Sequence, residues 1–398
     1  MTTTVFTTSS QQFDPFDEQC LDDPFPLYEL LRESGCGVVH LRNRDLWLVS
    51  RYRDAEFVLR DYRSFVSSLG VGYTRVAEHG YRYPLVDTDP PEHTRIRRAV
   101  QGRFGKDAMA GLRPGIRAAA TAVIESALAQ GDIDAVPTLA QPLPDLTIRL
   151  LTGIQPPDDE TMAAWADAVG QLAAPDLDPR HVELANDSLT WLTEQGLANV
   201  PEHCMARSIM AEGGEGGGLH AQGPERLMTL DSIWLAGVDS SSSLLGNAVN
   251  AFAEFPDQWD AIRADPGLIP NAVEELLRWD SPFRSFYRRN PEETVVGDVV
   301  VPGNADVCVL LASANRDPRR FDDPDRFDIH RADAKHHLAF GTSIHLCLGA
   351  PVARVEVAEF LSVLASRVRR FERIGEPARA LSQTMRKFDS LPVRLVPA

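Results

Sequence analysis

FGTSIHLCLGAPVARVE, residues 340–356, sets Cys347 just ahead of a helical run, APVARVEVAEFLSVLASRV, with Pro351 in its first turn where proline is tolerated. Cys347 therefore lies at a helix N-terminus. Backbone N–H groups and the positive end of the helix dipole are expected to lower its pKa and favour the thiolate, the form that ligates metals. By itself this geometry suits a capped, buried thiol equally well.

The rest of the chain limits the choices. Its 398 residues are 43% hydrophobic and 24% charged, which fits a soluble globular protein large enough to enclose a cofactor. A formal net charge of -17 argues against nucleic acid and anionic lipid as partners. Cys20, Cys36, Cys204, Cys308 and Cys347 are scattered without CxxC spacing, so they read as reduced thiols of a cytoplasmic protein. The N-terminal stretch has no basic and apolar regions of the kind that make a signal peptide or anchor.

Along the chain, residues 1–20 read as a loose arm, followed by a short amphipathic helix stopped at Gly35 and a hairpin in VVHLRNRDLWLVSRY. A long loop is expected over about 67–91, then helices to about residue 250. The Gly-rich insert at 211–223 lacks a preceding strand and a GK[ST], so it reads as a surface connection. A β-like stretch at 293–312, an aperiodic meander to Arg331 and the final helix complete the pattern. With no repeat or linker, the economical fold class is mainly α with small β-sheets, in a single domain over residues 21–398.

Phe340, Gly341, His345, Cys347, Gly349, Ala353 and Arg354 resemble the haem-binding signature of cytochrome P450, Phe-Gly-x-Gly-x-His-x-Cys-x-Gly followed by Ala-Arg. Ser343 replaces the second glycine. If positive φ is needed there, serine costs about 1 kcal/mol. Other signatures follow in order. NAVEELLRWDSP carries Glu275 and Arg278 as Glu-x-x-Arg, and DDPDRFDIHR supplies Arg326 as the expected third member of that structural network. DTDPPEHTRIRRAV is similar to the family's C helix, with His93 and Arg97, and SFYRRNP contributes Arg288. The segment 227–255 is long enough to span a membrane, but Asp231, Asp239 and a serine run argue for a buried helix with a polar break. It resembles the family's I helix, whose Ala-Gly-x-Asp/Glu-Thr motif here reads Ala236, Gly237, Val238, Asp239, Ser240.

The resemblance implies the P450 fold, with haem b (iron protoporphyrin IX) between the I helix and the helix after the Cys loop. Cys347 is then the iron's thiolate ligand, and Phe340, Gly341, Gly349 and Ala350 border the porphyrin. His93, Arg97, Arg288 and His345 are the candidate propionate donors, and Asp239 and Ser240 the proton relay beside Ala236 and Gly237. Serine keeps the relay hydroxyl but lacks the methyl that fixes a threonine rotamer.

The implied activity is monooxygenation with dioxygen, using electrons from a separate ferredoxin-like donor on the proximal face of a monomer. Retention of Asp239 and Ser240 argues against a non-catalytic haem sensor and against peroxide-driven chemistry. Val238, Phe283, Ser285 and Phe286 are candidate contacts for a small apolar, aromatic substrate. Several runs resemble members that demethylate methoxy-aromatics. Leu69 and Asp231 stand where the benzoate users are expected to carry arginine, which favours a neutral alkoxyphenol.

Overall fold

The computed structural model describes residues 14–73, 82–211, 218–220 and 224–398. Its principal helices are α1 (Phe25–Glu33), α2 (Tyr52–Arg60), α3 (Glu92–Val100), α4 (Lys106–Gln130), α5 (Pro142–Thr152), α6 (Asp159–Gln171), α7 (Pro179–Trp191), α8 (Met205–Ala211), α9 (Glu225–Glu254), α10 (Pro256–Ala264), α11 (Ile269–Trp279) and α12 (Ala350–Arg367). The largest sheet orders β1 (Val38–Leu41), β2 (Leu46–Val49), β7 (Ala305–Val309) and β4 (Phe286–Asn290), with only the β2–β7 pair parallel. A second sheet joins β3 (Asp132–Asp134), β11 (Pro392–Pro397) and β8 (Val368–Arg373). Two small ladders pair β5 (Thr294–Val296) with β6 (Val299–Val301) and β9 (Ala378–Arg379) with β10 (Phe388–Ser390).

Apolar spacing explains which faces go inward. On α4, Ile116, Ala120, Val123, Ile124 and Ala127 recur at helical period and are buried. On α12 the buried stripe runs through Val357, Phe360, Leu361 and Leu364. The C-terminal half of α9 is buried all round, from Ser243 to Phe252, as befits a helix wrapped by others. Trp165 of α6, Trp191 of α7 and Trp234 of α9 pack with ring centroids 5.6–5.9 Å apart, fixing these three helices against one another.

The expected polar break does not interrupt α9, which is continuous over its 30 residues. The hydroxyls are accommodated inside the helix: Ser240 donates to the Ala236 carbonyl (2.9 Å) and Ser243 to that of Asp239 (2.7 Å). The reading of a loose arm is also corrected for its last residues. Phe16 is buried, and buried Asp14 accepts from Arg44 Nε (2.5 Å) and Asn43 Nδ2 (3.0 Å). Residues 1–13, 212–217 and 221–223 and the centre of the long loop, 74–81, lie outside the described residues.

The Glu-x-x-Arg network forms, with a different third member. Glu275 and Arg278 are both fully buried, joined by two hydrogen bonds of 2.7 and 2.8 Å. The other guanidinium donors reach the carbonyls of Asn315 (3.0 Å), Pro324 (2.7 Å) and Arg326 (3.1 Å). Arg331, whose side chain is 9% exposed, completes the set at 3.3 Å from Glu275 Oε1. Arg326 is 62% exposed, lies 3.9 Å from Asp328, and lends the network only its backbone carbonyl. A turn closed by the Arg326 N–H on the Asp323 carbonyl (3.2 Å) precedes Arg331, whose guanidinium donates back to the carbonyls of Asp322 (2.6 Å) and Asp323 (2.9 Å).

Losing one partner of a buried pair leaves an uncompensated charge. Arg278→Met should therefore cost about 3–5 kcal/mol, and Arg331→Ala about 1–3 kcal/mol. Arg326→Ala should stay within about 0.5 kcal/mol. Denaturant midpoints rank the three, and an Arg326 variant as destabilised as the Arg331 variant would refute the assignment.

Candidate functional site

The loop before α12 is tightly specified. Leu338 N–H donates to Asn315 Oδ1 (2.6 Å), Gly341 N–H to the Leu338 carbonyl (2.8 Å) and Cys347 N–H to the Phe340 carbonyl (2.9 Å). Gly341 and Ser343 both adopt positive φ, +65° and +62°. The position that lacks its expected glycine thus does take the left-handed conformation, and Ser343 bears that strain on an exposed turn. Arg354 holds the helix side of the loop, with its Nε 2.6 Å and Nη2 2.9 Å from the Glu274 carboxylate and its guanidinium 4.8 Å from the Phe340 ring centroid. His337 contacts the same carboxylate at 3.1 Å.

Cys347 has the accessible surface of an exposed residue, yet burial is the strongest influence on its thiol and pushes the pKa up. Both hold because the residue keeps open surface while the surrounding protein atoms desolvate its sulfur. The N–H groups of Gly349 and Ala350 and the charges of Arg97 and Arg354 pull the pKa the other way. The expectation of a lowered pKa from the helix start is therefore reversed on balance, because desolvation outweighs those donors. A thiolate in such a place needs a cation beside it, and a metal ion supplies one.

Two histidines and two arginines gather next to the loop. Buried His93 has no hydrogen-bond partner among the described residues at either ring nitrogen, and its ring centroid lies 4.2 Å from that of His345. His345 Nε2 is 3.2 Å from Ser67 Oγ. Burial, reinforced by neighbouring arginines, lowers His93 to about 4 and His345 to about 2. Burial also brings Arg288 down to about 10 and lowers Arg97. Nearby carboxylates are already engaged: Asp89 accepts from the N–H groups of Ser67 (3.0 Å) and Ser68 (2.9 Å), and Asp87 from that of Tyr83 (2.8 Å). The cluster has donors to spare: Arg97 and Arg288 match two propionates in sign and number, and the neutral imidazoles of His93 and His345 can add hydrogen bonds. The residues present fit a haem.

On α9, Ala236, Gly237, Asp239 and Ser240 remain accessible between buried stretches at Thr229–Leu235 and Ser243–Phe252. Asp239 turns toward Lys387, whose Nζ lies 2.8 Å from its Oδ1. Burial raises the Asp239 pKa despite that ammonium. Glu356 of α12, buried to 1% exposure, was not anticipated from the sequence. Burial lifts its carboxyl to about 7, against the pull of the facing Thr147 and Ser241 hydroxyls. A carboxylate among Val352, Val357 and Phe360 is a signal that helical periodicity alone could have exposed.

The candidate substrate contacts divide. Phe283 and Phe286 are half-buried, with ring centroids 5.1 Å apart. Ser285 is buried beside Tyr287 and Cys308. Val238 belongs to the apolar cluster with Ile148, Trp165 and Trp234.

Because the raised pKa of Glu356 disfavours its ionised form in the fold, stability should fall as pH rises from the ordinary glutamate value toward about 7. Glu356→Gln should match the parent at pH 4 and exceed it by on the order of 3 kcal/mol at pH 8. Equal stability of the two proteins at both pH values would contradict the assignment.

Comparison with known proteins agrees with this geometry. The family model for cytochrome P450 matches residues 225–388. Cytochrome P450 CYP199A2 of Rhodopseudomonas palustris is 35% identical over 97% of this chain and 94% of its own. The P450 monooxygenase PikC of Streptomyces venezuelae is 34% identical over 87% and 84%. Among solved structures, CYP109Q5 of Chondromyces apiculatus superposes with a TM-score of 0.81 at 31% identity, over 96% of this chain and 98% of the other. CREJ in complex with (4-ethylphenyl) dihydrogen phosphate gives 0.84 at 28%, over 97% and 100%. A chain with this fold, an interior cysteine loop and likeness of this extent to monooxygenases belongs to the cytochrome P450 family and is a haem-dependent monooxygenase.

Proposed function

We propose that this monooxygenase holds its haem through Cys347, with His93, Arg97, Arg288 and His345 receiving the propionates, and oxidises a small neutral aromatic, with a methoxy-substituted phenol as the preferred class. The observation that carries the haem assignment is the juxtaposition of Cys347, two backbone N–H groups that favour its thiolate, and a set of basic side chains, Arg97, Arg288, His93 and His345, beside the same loop.

When bound, haem supplies the reductive activation of dioxygen. Each turnover consumes two electrons and two protons, placing one oxygen atom in substrate and the other in water. The chain's task on the distal side is delivery of those protons. Ser240 Oγ donates to the Ala236 carbonyl in this structure; released from it, the hydroxyl can give up its proton and take another from the neighbouring Asp239 carboxyl once that is turned from Lys387. Ala236 and Gly237 keep that wall of the cavity small.

Relatives do not fix the substrate: solved neighbours hold an aryl phosphate in one case and erythromycin B in another. Support for an aromatic comes from the Phe283–Phe286 pair. Support for a neutral one comes from charge. Asp231 puts a buried carboxylate on α9, near Ser188 Oγ at 3.3 Å, where an anionic benzoate would want a cation, and Leu69 is apolar. Oxidation of a methoxy carbon gives a hemiacetal that collapses to a phenol and formaldehyde. For the electron donor, exposed Leu346 beside Cys347 and half-exposed Arg113 and Arg117 against α12 suit a small acidic protein.

Methoxyphenols should shift the haem absorption in difference spectra and release formaldehyde on turnover, whereas methoxybenzoates should bind at least about tenfold more weakly, a difference of about 1.4 kcal/mol. Failure of every aromatic to perturb the spectrum would remove the substrate assignment. Asp239→Asn should slow turnover by about 10²-fold or more, and Ser240→Ala should divert reductant from product to hydrogen peroxide. Unchanged turnover in both variants would contradict the relay.

A further inference from the structure

The four side chains read as propionate donors come from three separate segments: His93 and Arg97 from α3, Arg288 from β4, and His345 from the cysteine loop. Donors so far apart in the chain meet at one group only if those segments are held in register. Between α2 and α3, a short stretch that carries none of the four, Val66 to Ser68, touches all three segments.

Val66 pairs with Arg289 of β4. Its N–H donates to the Arg289 carbonyl (2.8 Å) and its carbonyl accepts the Arg289 N–H (3.2 Å), which fixes the backbone beside Arg288. The N–H groups of Ser67 and Ser68 donate to Oδ1 (3.0 Å) and Oδ2 (2.9 Å) of Asp89, whose own carbonyl accepts the His93 N–H (3.0 Å) where α3 begins. Ser67 Oγ, on a residue only 1% exposed, lies 3.2 Å from Nε2 of His345, 278 residues further along the chain. His345 in turn packs on His93, with ring centroids 4.2 Å apart.

The chemistry of these contacts suits a site for an anion. Both Asp89 oxygens accept backbone N–H groups, and neither Arg97 nor Arg288 donates to them among the described residues. The Asp89 charge still acts on Arg288 and His93, favouring their protonated forms against burial. A serine hydroxyl can donate to a bare imidazole nitrogen or accept from a protonated one, so Ser67 orients the His345 ring in either state.

We propose that Ser67 is a positioning residue for the haem carboxylates: seated by Asp89 and tied through Val66 to β4, it sets the angle of His345 so that donors from three segments converge on the two propionates. Ser67 itself is assigned no contact with haem. This rests on the reading of His93, Arg97, Arg288 and His345 as the propionate donors.

The test uses the haem-loaded protein and two readouts other than turnover: the rate of haem loss to an excess of an apo-globin acceptor, and the propionate bending band in the resonance Raman spectrum. Ser67→Ala removes the hydroxyl but keeps the N–H that Asp89 holds. It should speed haem loss on the order of 3- to 10-fold, the range of one hydrogen bond, and shift the band. Because Ser67 acts through His345, the same substitution should add nothing in a His345→Leu background. Parent-like haem loss and an unmoved band in Ser67→Ala would overturn the proposal, as would an effect of equal size in the His345→Leu background. If His345→Leu alone leaves the band where the parent has it, the reading of His345 as a propionate donor is what fails, and the route from Ser67 to the haem falls with it.

Discussion

Two adjacent glutamates on α11 hold the proximal half of the molecule in place. Glu275, fully buried, binds Arg278 and Arg331 and accepts the Asp328 N–H (2.9 Å), which fastens the meander after β7 to the helix. Glu274, one residue earlier on the neighbouring face, binds Arg354 and His337 and so fastens the Cys347 loop and the start of α12 to the same helix. Burial works against both the Glu274 charge and its histidine partner, yet His337 and Arg354 hold this carboxyl down at about 2. The pairing is one of geometry more than of net stability, since buried ion pairs roughly offset their own desolvation. What it secures is the placement of a cysteine whose loop contains two left-handed residues and has little regular structure to hold it.

The distal half meets a different constraint. A helix that is core along most of its length must also present small and polar groups to a cavity, and α9 does so without breaking, by turning its serine hydroxyls back on its own carbonyls. Its acid cannot be satisfied in that way and takes a lysine from the C-terminal turn. A second acid, Glu356, arrives from the proximal side and meets α9 at Ser241. Two carboxyls with raised pKa values thus meet on this stretch of α9: its own Asp239, turned toward α6, and buried Glu356, which reaches it from α12.

Much of this is written locally. The cysteine loop, the Glu-x-x-Arg pair, the basic start of α3 and the Ala-Gly-Val-Asp-Ser run each carry their signal within a few residues, and their order points to the fold. Ser343 was legible in the same way, since a position that favours glycine implies positive φ. Choosing Arg331 over Arg326 was beyond local reading, because both lie in the meander and a turn near residue 323 decides which side chain points inward. The Lys387–Asp239 contact spans 148 residues and leaves no local trace. The direction of the Cys347 shift was missed for a related reason: helix dipoles are visible in sequence, while depth of burial is a property of the packed whole.

The central claim is that Cys347 is the thiolate ligand of a haem iron, and the reduced carbon monoxide difference spectrum of freshly purified protein tests it most directly. The account predicts the red-shifted band for which the family is named, and its loss in Cys347→Ser. A fresh, reduced, haem-loaded protein that lacks the band, or a Cys347→Ser variant that keeps it, would contradict the account.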